Sequence, residues 1–587
     1  MNYYHPTSAG YESEIVNADF FISSQGRTSP EAEFSEFTDT MRSYAKDGSH
    51  AAILCSFPAR SSLVIGDMPA FKGFSRPDCS KFPRYADPQK VKSISLVFAS
   101  GYFESPASYF GHTMIKFDTG EKDFNEFFFD SSLNYGAQIT DATGTMYIIR
   151  GLTGGYTASY QRNNDFINTN SYTNKQMRDV WEYPLQLSPE QKTFMVEYSS
   201  ELRRARFKYY FFGDNCAHRM ARLIDMATNR KMVDTGGPWL LPIQMVQQIN
   251  HPKDGPTIIK EELRSPSLKS ETRRQYLALS PDDQNAVVTF LKSPLERQKQ
   301  LAFRLSTPAL AMAMNYYDVE LAKLSTKSKD ADKLALLQPH RQIALAERLK
   351  RPALSSAEAV PAMPEQGETP ATIKHPSYLQ AGYTVRSGKD SINLRYQASN
   401  NDLLTMPLAG QEASHFIMGA AEVALTEHKL DLSKVTLIDI ASLNTNPLPM
   451  SLTGEYSWSV KAEYGARNDI CQKCSTASLD GKIGKAQRLN ENLMLYTLVG
   501  GQVNYKETSY NDHLMLTSEN GALFTLDGKT RLNTEINADV SPIHGNPGYL
   551  FKATLAHDLS SQTDIRFSAE NDGENSAATI KFGFYFN

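Results

Sequence analysis

Cys216 and His112 are the two residues of this chain best suited to carry out chemistry. Cys216 sits in Tyr209-Tyr210-Phe211-Phe212-Gly213-Asp214-Asn215-Cys216-Ala217-His218-Arg219-Met220. The amphipathic run from Met220 to Met226 predicts a helix, and Asp214 and Asn215 before it are good N-cap residues. Cys216 then falls in or beside the first helical turn. There the helix dipole and free N–H groups favour an anion and raise a thiol's thiolate fraction. Roughly a hundred residues upstream, Ser105-Pro106-Ala107-Ser108-Tyr109-Phe110-Gly111-His112-Thr113 supplies an imidazole. A thiol and an imidazole brought together by folding perform acyl transfer. Spacing alone also fits a buried small hydrophobe at Cys216 and a core imidazole at His112.

The chain has five cysteines. Cys471 and Cys474 lie three apart in a polar loop, and Cys55 and Cys79 flank a Pro/Gly-rich segment, so two disulfides would leave Cys216 as the odd thiol. Cys55 as a free buried residue is the other possibility. A metal site at Cys471-Gln472-Lys473-Cys474 lacks a second ligand pair at any usual spacing, and no metal or cofactor is expected.

The elements that must position the pair read as follows. Residues 1–90 are mixed, with a helix near Glu31 to Ala45 and then loops. Residues 91–235 alternate strands and helices. Strands are predicted over Ser93–Ser100, Thr113–Phe117, Glu126–Phe129 and Met146–Arg150 from β-branched and aromatic content. Arg178–Leu187 is extended, and Ser188–Lys208 is a helix that opens on a cap, an N1 proline and a capping-box partner, Ser188-Pro189-Glu190-Gln191. His112 thus stands at a strand start and Cys216 at a helix start. Residues 236–350 are helical, with runs over Pro281–Leu291, Pro294–Arg304, Pro308–Leu324 and Ala331–Leu349. Residues 351–376 are a Pro/Ala/Ser/Glu linker.

From about residue 377 the hydrophobic period becomes two. Leu452 to Tyr464, Leu532 to Val540 and Ile580 to Phe586 each set apolar residues on one face and polar or charged residues on the other. About twelve such segments of about ten residues fit an antiparallel transmembrane barrel with lipid outside and a polar lumen. A soluble antiparallel sandwich also alternates, but charges stand on the polar face of nearly every strand and no second sheet is on offer. Arg531, Glu535, Arg566 and Glu570 are expected in the lumen, paired with one another or lining a pore. The fold class is therefore α+β with a C-terminal antiparallel barrel over 377–587.

The 587 residues carry a net charge of −4, so no basic excess points to nucleic acid. Mean hydropathy is −0.43, and no apolar run reaches the ~20 residues of a membrane-spanning helix. The first residues lack the pattern of a secretory signal. Taken literally that means a cytoplasmic protein, in conflict with the exported character of the barrel.

Several blocks together resemble one family. Leu96-Val97-Phe98-Ala99-Ser100, Pro106 to Thr113, Asn134-Tyr135-Gly136-Ala137, Gly151-Leu152-Thr153-Gly154-Gly155-Tyr156, Arg178-Asp179-Val180-Trp181-Glu182-Tyr183 and Asn215-Cys216 are similar, in order, to the Lnb N-terminal periplasmic domain family. The likeness covers about residues 90–235. Cys55-Ser56-Phe57-Pro58-Ala59-Arg60 and the barrel resemble the larger Gram-negative members. Lnb itself is a lipoprotein N-acyltransferase, and the family's His and Cys map onto His112 and Cys216. More distantly, Asn215-Cys216-Ala217-His218 with an upstream His is similar to lecithin retinol acyltransferase and other permuted papain-like, NlpC-type enzymes. The resemblance implies a permuted papain-like domain at the outer membrane of a Gram-negative bacterium, facing the periplasm, with a membrane lipid or lipoprotein as substrate. The chain departs from Lnb by adding a barrel and lacking its transmembrane helices, so lipoprotein acylation itself does not carry over directly.

On this reading Cys216 attacks a carbonyl and His112 moves the protons. Asn134, on a later strand, is favoured over Asp118 to orient the imidazole. The Cys216 N–H holds the oxyanion. Asn215 and Ser108 are candidates for support, Tyr210, Phe211 and Phe212 for an acyl pocket or plain core, and Arg219 for a substrate anion or a surface salt bridge. His218, two residues from the thiol, is the weaker base. A cysteine peptidase or amidase acting on cell-wall peptide and a non-catalytic barrel-anchored binding module are the alternatives.

Overall fold

The computed structural model describes residues 3–82, 86–101, 111–120, 130–139, 145–211, 213–237, 239–327, 331–352, 368–386, 390–408, 413–426, 429–445, 456–466, 475–490, 492–507, 512–545 and 547–587. Two compact units emerge, Met1–Ser267 and Leu268–Asn587.

The first unit opens with a hairpin, β1 (Tyr4–Thr7) and β2 (Gly10–Ser13), then α1 (Pro30–Asp47), α2 (Ala51–Ser56) and α3 (Pro58–Asp67). The two short helices α2 and α3 occupy a stretch read from sequence as loop. A disulfide joins Cys55 to Cys79, one of the two pairings expected; Cys471 and Cys474 lie outside the described residues. The core of the unit is a seven-stranded antiparallel sheet in the order β8-β6-β5-β4-β3-β7-β9. Its strands are β3 (Ser93–Ala99), β4 (His112–Asp118), β5 (Ser131–Ala137), β6 (Tyr156–Asn164), β7 (Val180–Pro184), β8 (Arg206–Tyr209) and β9 (Leu263–Ser265). The predicted strand over Glu126–Phe129 lies outside the described residues.

Two local predictions are corrected. Met146–Arg150 is not a strand; it lies in α4 (Thr145–Thr153). A five-residue run of that composition suits either state, and helix is the one that sets Gly151 against the Phe211 ring, where a Cβ would come within 2.2 Å. The helix begun at Ser188 ends at Leu202 as α6 (Pro189–Leu202), with the expected capping box. Arg206–Tyr209 instead becomes an edge strand, alternating exposed and buried, because period two suits Arg-Phe-Lys-Tyr better than a helix face does.

Between β6 and β7 lie α5 (Asp165–Asn170) and a π-helical turn, Ser171–Lys175. Helix α7 (Cys216–Thr228) packs its buried Met220, Leu223 and Ile224 into the core, and α8 (Pro242–Asn250) follows.

The second unit begins with α9 (Leu268–Ala278), α10 (Pro281–Lys292), α11 (Leu295–Leu301), α12 (Thr307–Lys327) and α13 (Ala331–Leu349). They bury one core that includes Val287, Phe290, Leu310, Ala313 and Tyr317. The remainder is a closed antiparallel barrel of twelve strands, β10 (Ser377–Arg386) to β21 (Ser576–Phe586). Pairing of Ser377 with Phe586 through Arg386 with Ala577 closes it. Strands run from 9 to 15 residues.

Alternate side chains point outward and stay exposed: Ile536, Ile580, Phe582 and Phe584 are 52, 42, 50 and 42 % exposed. So many large apolar groups in the open make sense only where the surrounding medium is lipid. Many inward side chains are polar or charged, and several of them pair. Lys552 meets Glu570 at 2.9 Å, Lys581 meets Glu422 at 3.2 Å, and Arg566 bonds Asp402 and Asp564. Of the four charges expected in the lumen, Arg566 and Glu570 take charged partners. Glu535 accepts from Tyr496 and Asn533, and Arg531 donates to the carbonyls of Leu403 and Thr405. Among the described residues no helix is long and apolar enough to cross a membrane.

Candidate functional site

Gly111 sets the position of His112. Its φ of +93° is left-handed, and a Cβ there would lie 2.4 Å from the Phe98 ring and 2.8 Å from the Ala99 carbonyl oxygen, so only glycine lets the chain enter β4 at this point. His112 pairs with Ala99 of β3. On its other side the register of β4 with β5 begins only at Ile115↔Leu133. Beyond that pair the imidazole Nε2 lies 3.4 Å from Oδ1 of Asn134. The Asn134 amide nitrogen donates to Ser132 Oγ at 3.4 Å, and Asn168 donates to the same oxygen at 2.5 Å. This leaves the Asn134 oxygen for the ring. An Nε2–H donated to that oxygen would leave Nδ1 as the nitrogen free to accept a proton.

Cys216 is the first residue of α7. Asn215 is extended, and its Oδ1 accepts from His218 N at 3.2 Å, the cap expected from sequence. Its amide nitrogen donates to the carbonyls of Phe211 at 3.2 Å and Leu240 at 2.7 Å. Asn215 therefore fixes the Cys216 loop and is fully engaged in doing so. The thiol is free and 4 % exposed. Burial pushes its pKa up, but His112 beside it, together with the backbone and hydroxyl of Thr113, outweighs burial and brings it from 9.0 to about 7. Thr113 is fully buried and its hydroxyl has no oxygen or nitrogen partner.

Tyr172 completes the group, and nothing in the sequence singled it out. It lies on the π-helical turn, a feature frequent at functional sites. Its ring centroid is 6.2 Å from that of His112, at 36°. The Arg178 guanidinium sits 5.0 Å above the same ring and donates to the carbonyls of Ser100 and Ala99. Burial and the nearby Cys216 sulfur raise the Tyr172 pKa against the opposing charge of Arg178, so the phenol keeps its proton near neutrality.

Other candidates fall elsewhere. Asp118 is at the far end of β4, where it accepts from Ser93 at 3.1 Å and Gly120 N at 2.6 Å; it does not reach the imidazole. Arg219 is neither at the surface nor open to a ligand. It is 0 % exposed, with Glu14 at 2.7 Å, Asp214 at 3.2 Å and the Phe207 ring 4.0 Å beneath it. His218 Nδ1 lies 3.3 Å from Asp214, and burial holds it below its usual pKa. Phe211 is core, 8 % exposed. Tyr210 lies on Gly154, where a Cβ would meet its ring at 2.4 Å. Ser108 and Phe212 lie outside the described residues.

One surface feature adjoins the site. Helix α4 carries Met146 and Ile149, 53 and 46 % exposed and three residues apart on one face, with Ile139 just before it at 43 %. The helix is tied to the Cys216 loop through the Gly151 carbonyl, which accepts from Phe211 N at 2.9 Å.

Residues 81–251 match the model of the Lnb N-terminal periplasmic domain. Two families described only as domains of unknown function match residues 1–65 and 364–586. No curated protein matches the chain. Solved barrels similar to the C-terminal part include the KdgM porin, at 7 % identity and a TM-score of 0.23 over 36 % of this chain and 99 % of that one. Omp33 of Acinetobacter baumannii shares 8 % identity, with a TM-score of 0.21 over 37 % and 100 %. An outer-membrane channel from Pseudomonas putida F1 shares 8 %, with a TM-score of 0.24 over 38 % and 97 %. At such scores they say nothing of what this barrel does; its own apolar outer band is what places it in a membrane. Residues 81–251 are thus an Lnb N-terminal periplasmic domain, held at the outer membrane by a twelve-stranded barrel that follows it in the same chain.

Proposed function

We propose that this protein is a thiol enzyme of the outer membrane that transfers or hydrolyses an acyl group of a lipid or lipoprotein on the periplasmic side. The observation that carries the reading is the free, buried Cys216 thiol at the start of α7 with His112 beside it, whose influence draws the thiol's pKa down and whose Nε2 lies 3.4 Å from Asn134. A strand carrying the imidazole ahead of a helix beginning with the thiol is the order of permuted papain-like enzymes, and we assign the domain to that class.

In the first step the thiolate adds to an ester carbonyl carbon, whose π electrons move to oxygen. The oxyanion is met by the Cys216 N–H and the Tyr172 hydroxyl. Collapse breaks the bond to the leaving alkoxide, which takes the proton held on His112, and the acyl group remains on sulfur as a thioester. In the second step His112 removes a proton from the acceptor, an amine or water. The acceptor attacks the thioester and sulfur departs as thiolate.

The exposed Met146, Ile149 and Ile139 beside the Cys216 loop favour a substrate with a long apolar chain over a cell-wall peptide. The test is mass spectrometry of Cys216 after exposure of the purified protein to outer-membrane lipids. An added fatty acyl mass on Cys216, absent in Cys216→Ala, is expected. If Cys216 stays unmodified and its labelling by a thiol probe is indifferent to His112→Ala, the proposal fails.

A further inference from the structure

The barrel encloses a cavity of about 1210 Å³ lined by charged and polar side chains, among them Lys434, Asp439, Lys461 and Glu519. A turn of the chain folds inward at one end of it. Residues Asp402 to Leu408, just after β11 (Ser391–Asn401), fold into a turn held by Asp402, whose carboxylate accepts from Leu404 N and Thr405 N at 3.1 and 3.0 Å. Leu403 and Leu404 pack onto Met494, Tyr496, Leu498 and Leu523, inward-facing side chains that are 1, 3, 0 and 2 % exposed. Leu403 and Leu404 are half-buried and line the cavity themselves, so they set an apolar face at one end of a lumen lined otherwise by charge, the kind of constriction that opposes passage of water and ions.

This end is the one where β10 begins and β21 finishes. Residues 81–251 precede β10 in the chain, and on that order we assign this end to the periplasmic side. Among the described residues, two arginines fix the turn to the wall. Arg566 bonds the Asp402 carboxylate, and Arg531 Nη1 donates to the carbonyls of Leu403 and Thr405, each at 2.7 Å. It is also stitched to the segment that leads in from the linker. Glu368 N donates to the Pro407 carbonyl at 3.0 Å, and Glu368 forms a parallel bridge with Leu408.

We infer that the barrel is a pore for small polar solutes, stoppered at its periplasmic end by residues 402–408, and that the linker segment at Glu368 controls the stopper. A barrel serving as an anchor alone has no need of a water-accessible, charge-lined lumen above its seal. A stopper joined by backbone hydrogen bonds to the incoming linker moves when the linker moves. This inference is independent of the thiol chemistry.

The test is ion conductance of the full chain in planar lipid bilayers with potassium chloride. The unaltered protein is expected to stay closed. Leu403→Ser with Leu404→Ser, and separately Arg531→Ala, are expected to give current where there was none. Glu368→Pro, which removes the donor to Pro407, is expected to raise the frequency of opening. Unheated gel mobility establishes that each variant still forms a closed barrel. A steady current through the unaltered chain overturns the stopper. Folded stopper variants that remain silent overturn the pore. A Glu368→Pro current no greater than that of the unaltered chain overturns control by the linker.

Discussion

Removing the His112 ring should separate the two influences on the Cys216 thiol. In the native arrangement burial raises its pKa while His112 and Thr113 lower it, for a net value of about 7 against an ordinary 9.0. At pH 7 about half of the sulfur is then thiolate. In His112→Ala burial dominates and the pKa returns to 9 or above, so the thiolate fraction falls to about 1 % or less, a loss of at least about 50-fold. A more basic thiolate is intrinsically more nucleophilic. With a Brønsted slope of about 0.4–0.5, two pKa units restore about eightfold. The net rate of alkylation by a small haloacetamide should therefore drop about sixfold at pH 7. At pH 10, with both sulfurs largely ionised, the variant should match or overtake the native protein.

The assay is the rate of Cys216 adduct formation by mass spectrometry from pH 5 to 10.5. The native inflection is expected near 7 and that of the variant near 9 or higher. The same shift bears on stability. The folded thiol's pKa lies below its unfolded value, so its contribution is fully present above about 9 and is lost as pH falls through 7. An inflection that does not move between the two proteins would refute the claim that the imidazole ionises this sulfur.

Tyr172→Phe removes only a hydroxyl, so acyl transfer should fall by about 10²-fold while the alkylation inflection stays near 7; a shifted inflection would make Tyr172 a positioning residue instead. Met146→Ser with Ile149→Ser should raise KM for long-chain substrates and leave kcat and the inflection unchanged, measured across a series of acyl lengths. Arg219→Met removes the buried guanidinium between Glu14 and Asp214, which keep Arg222 and His218 as partners, at a cost of about 1–3 kcal/mol, read as a loss of thermal stability in the full chain. Asn215→Ala forfeits the α7 cap and two anchoring hydrogen bonds, about 2–3 kcal/mol in all, and should slow Cys216 alkylation as the loop loosens.

The parts legible in sequence were those written in local chemistry. A strict period of two fixes which barrel residues face lipid, because a one-residue slip would turn every apolar side chain inward. Asn215 before an amphipathic run announces the start of α7. The parts that were not legible depend on distant partners. Arg219 reads as a surface charge beside Asp214, and only the arrival of Glu14, some two hundred residues upstream, on the other side of its guanidinium makes burial tolerable. Tyr172 sits in a polar stretch with no motif, and its relation to His112 exists only once the π-helical turn brings it across the sheet. Met146–Arg150 shows the limit of propensity, since a short β-branched run yields to the packing of the glycine that follows it.

Charge pairing distinguishes scaffold from machinery in this chain. Glu570 and Glu422 in the barrel face lysines, and the buried Arg219 faces two carboxylates. Such pairs join opposite charges across a fixed contact. Cys216 differs: the principal group that stabilises its charged form is an imidazole. An ion pair with an arginine would lower the thiol's pKa equally well, but could neither release a proton to a leaving group nor take one from an acceptor. The imidazole can do both, and Asn134 holds it while contributing no charge that would lock it in the protonated form. The pairing at Cys216 is therefore built for turnover, where every other buried pair described here is built for permanence.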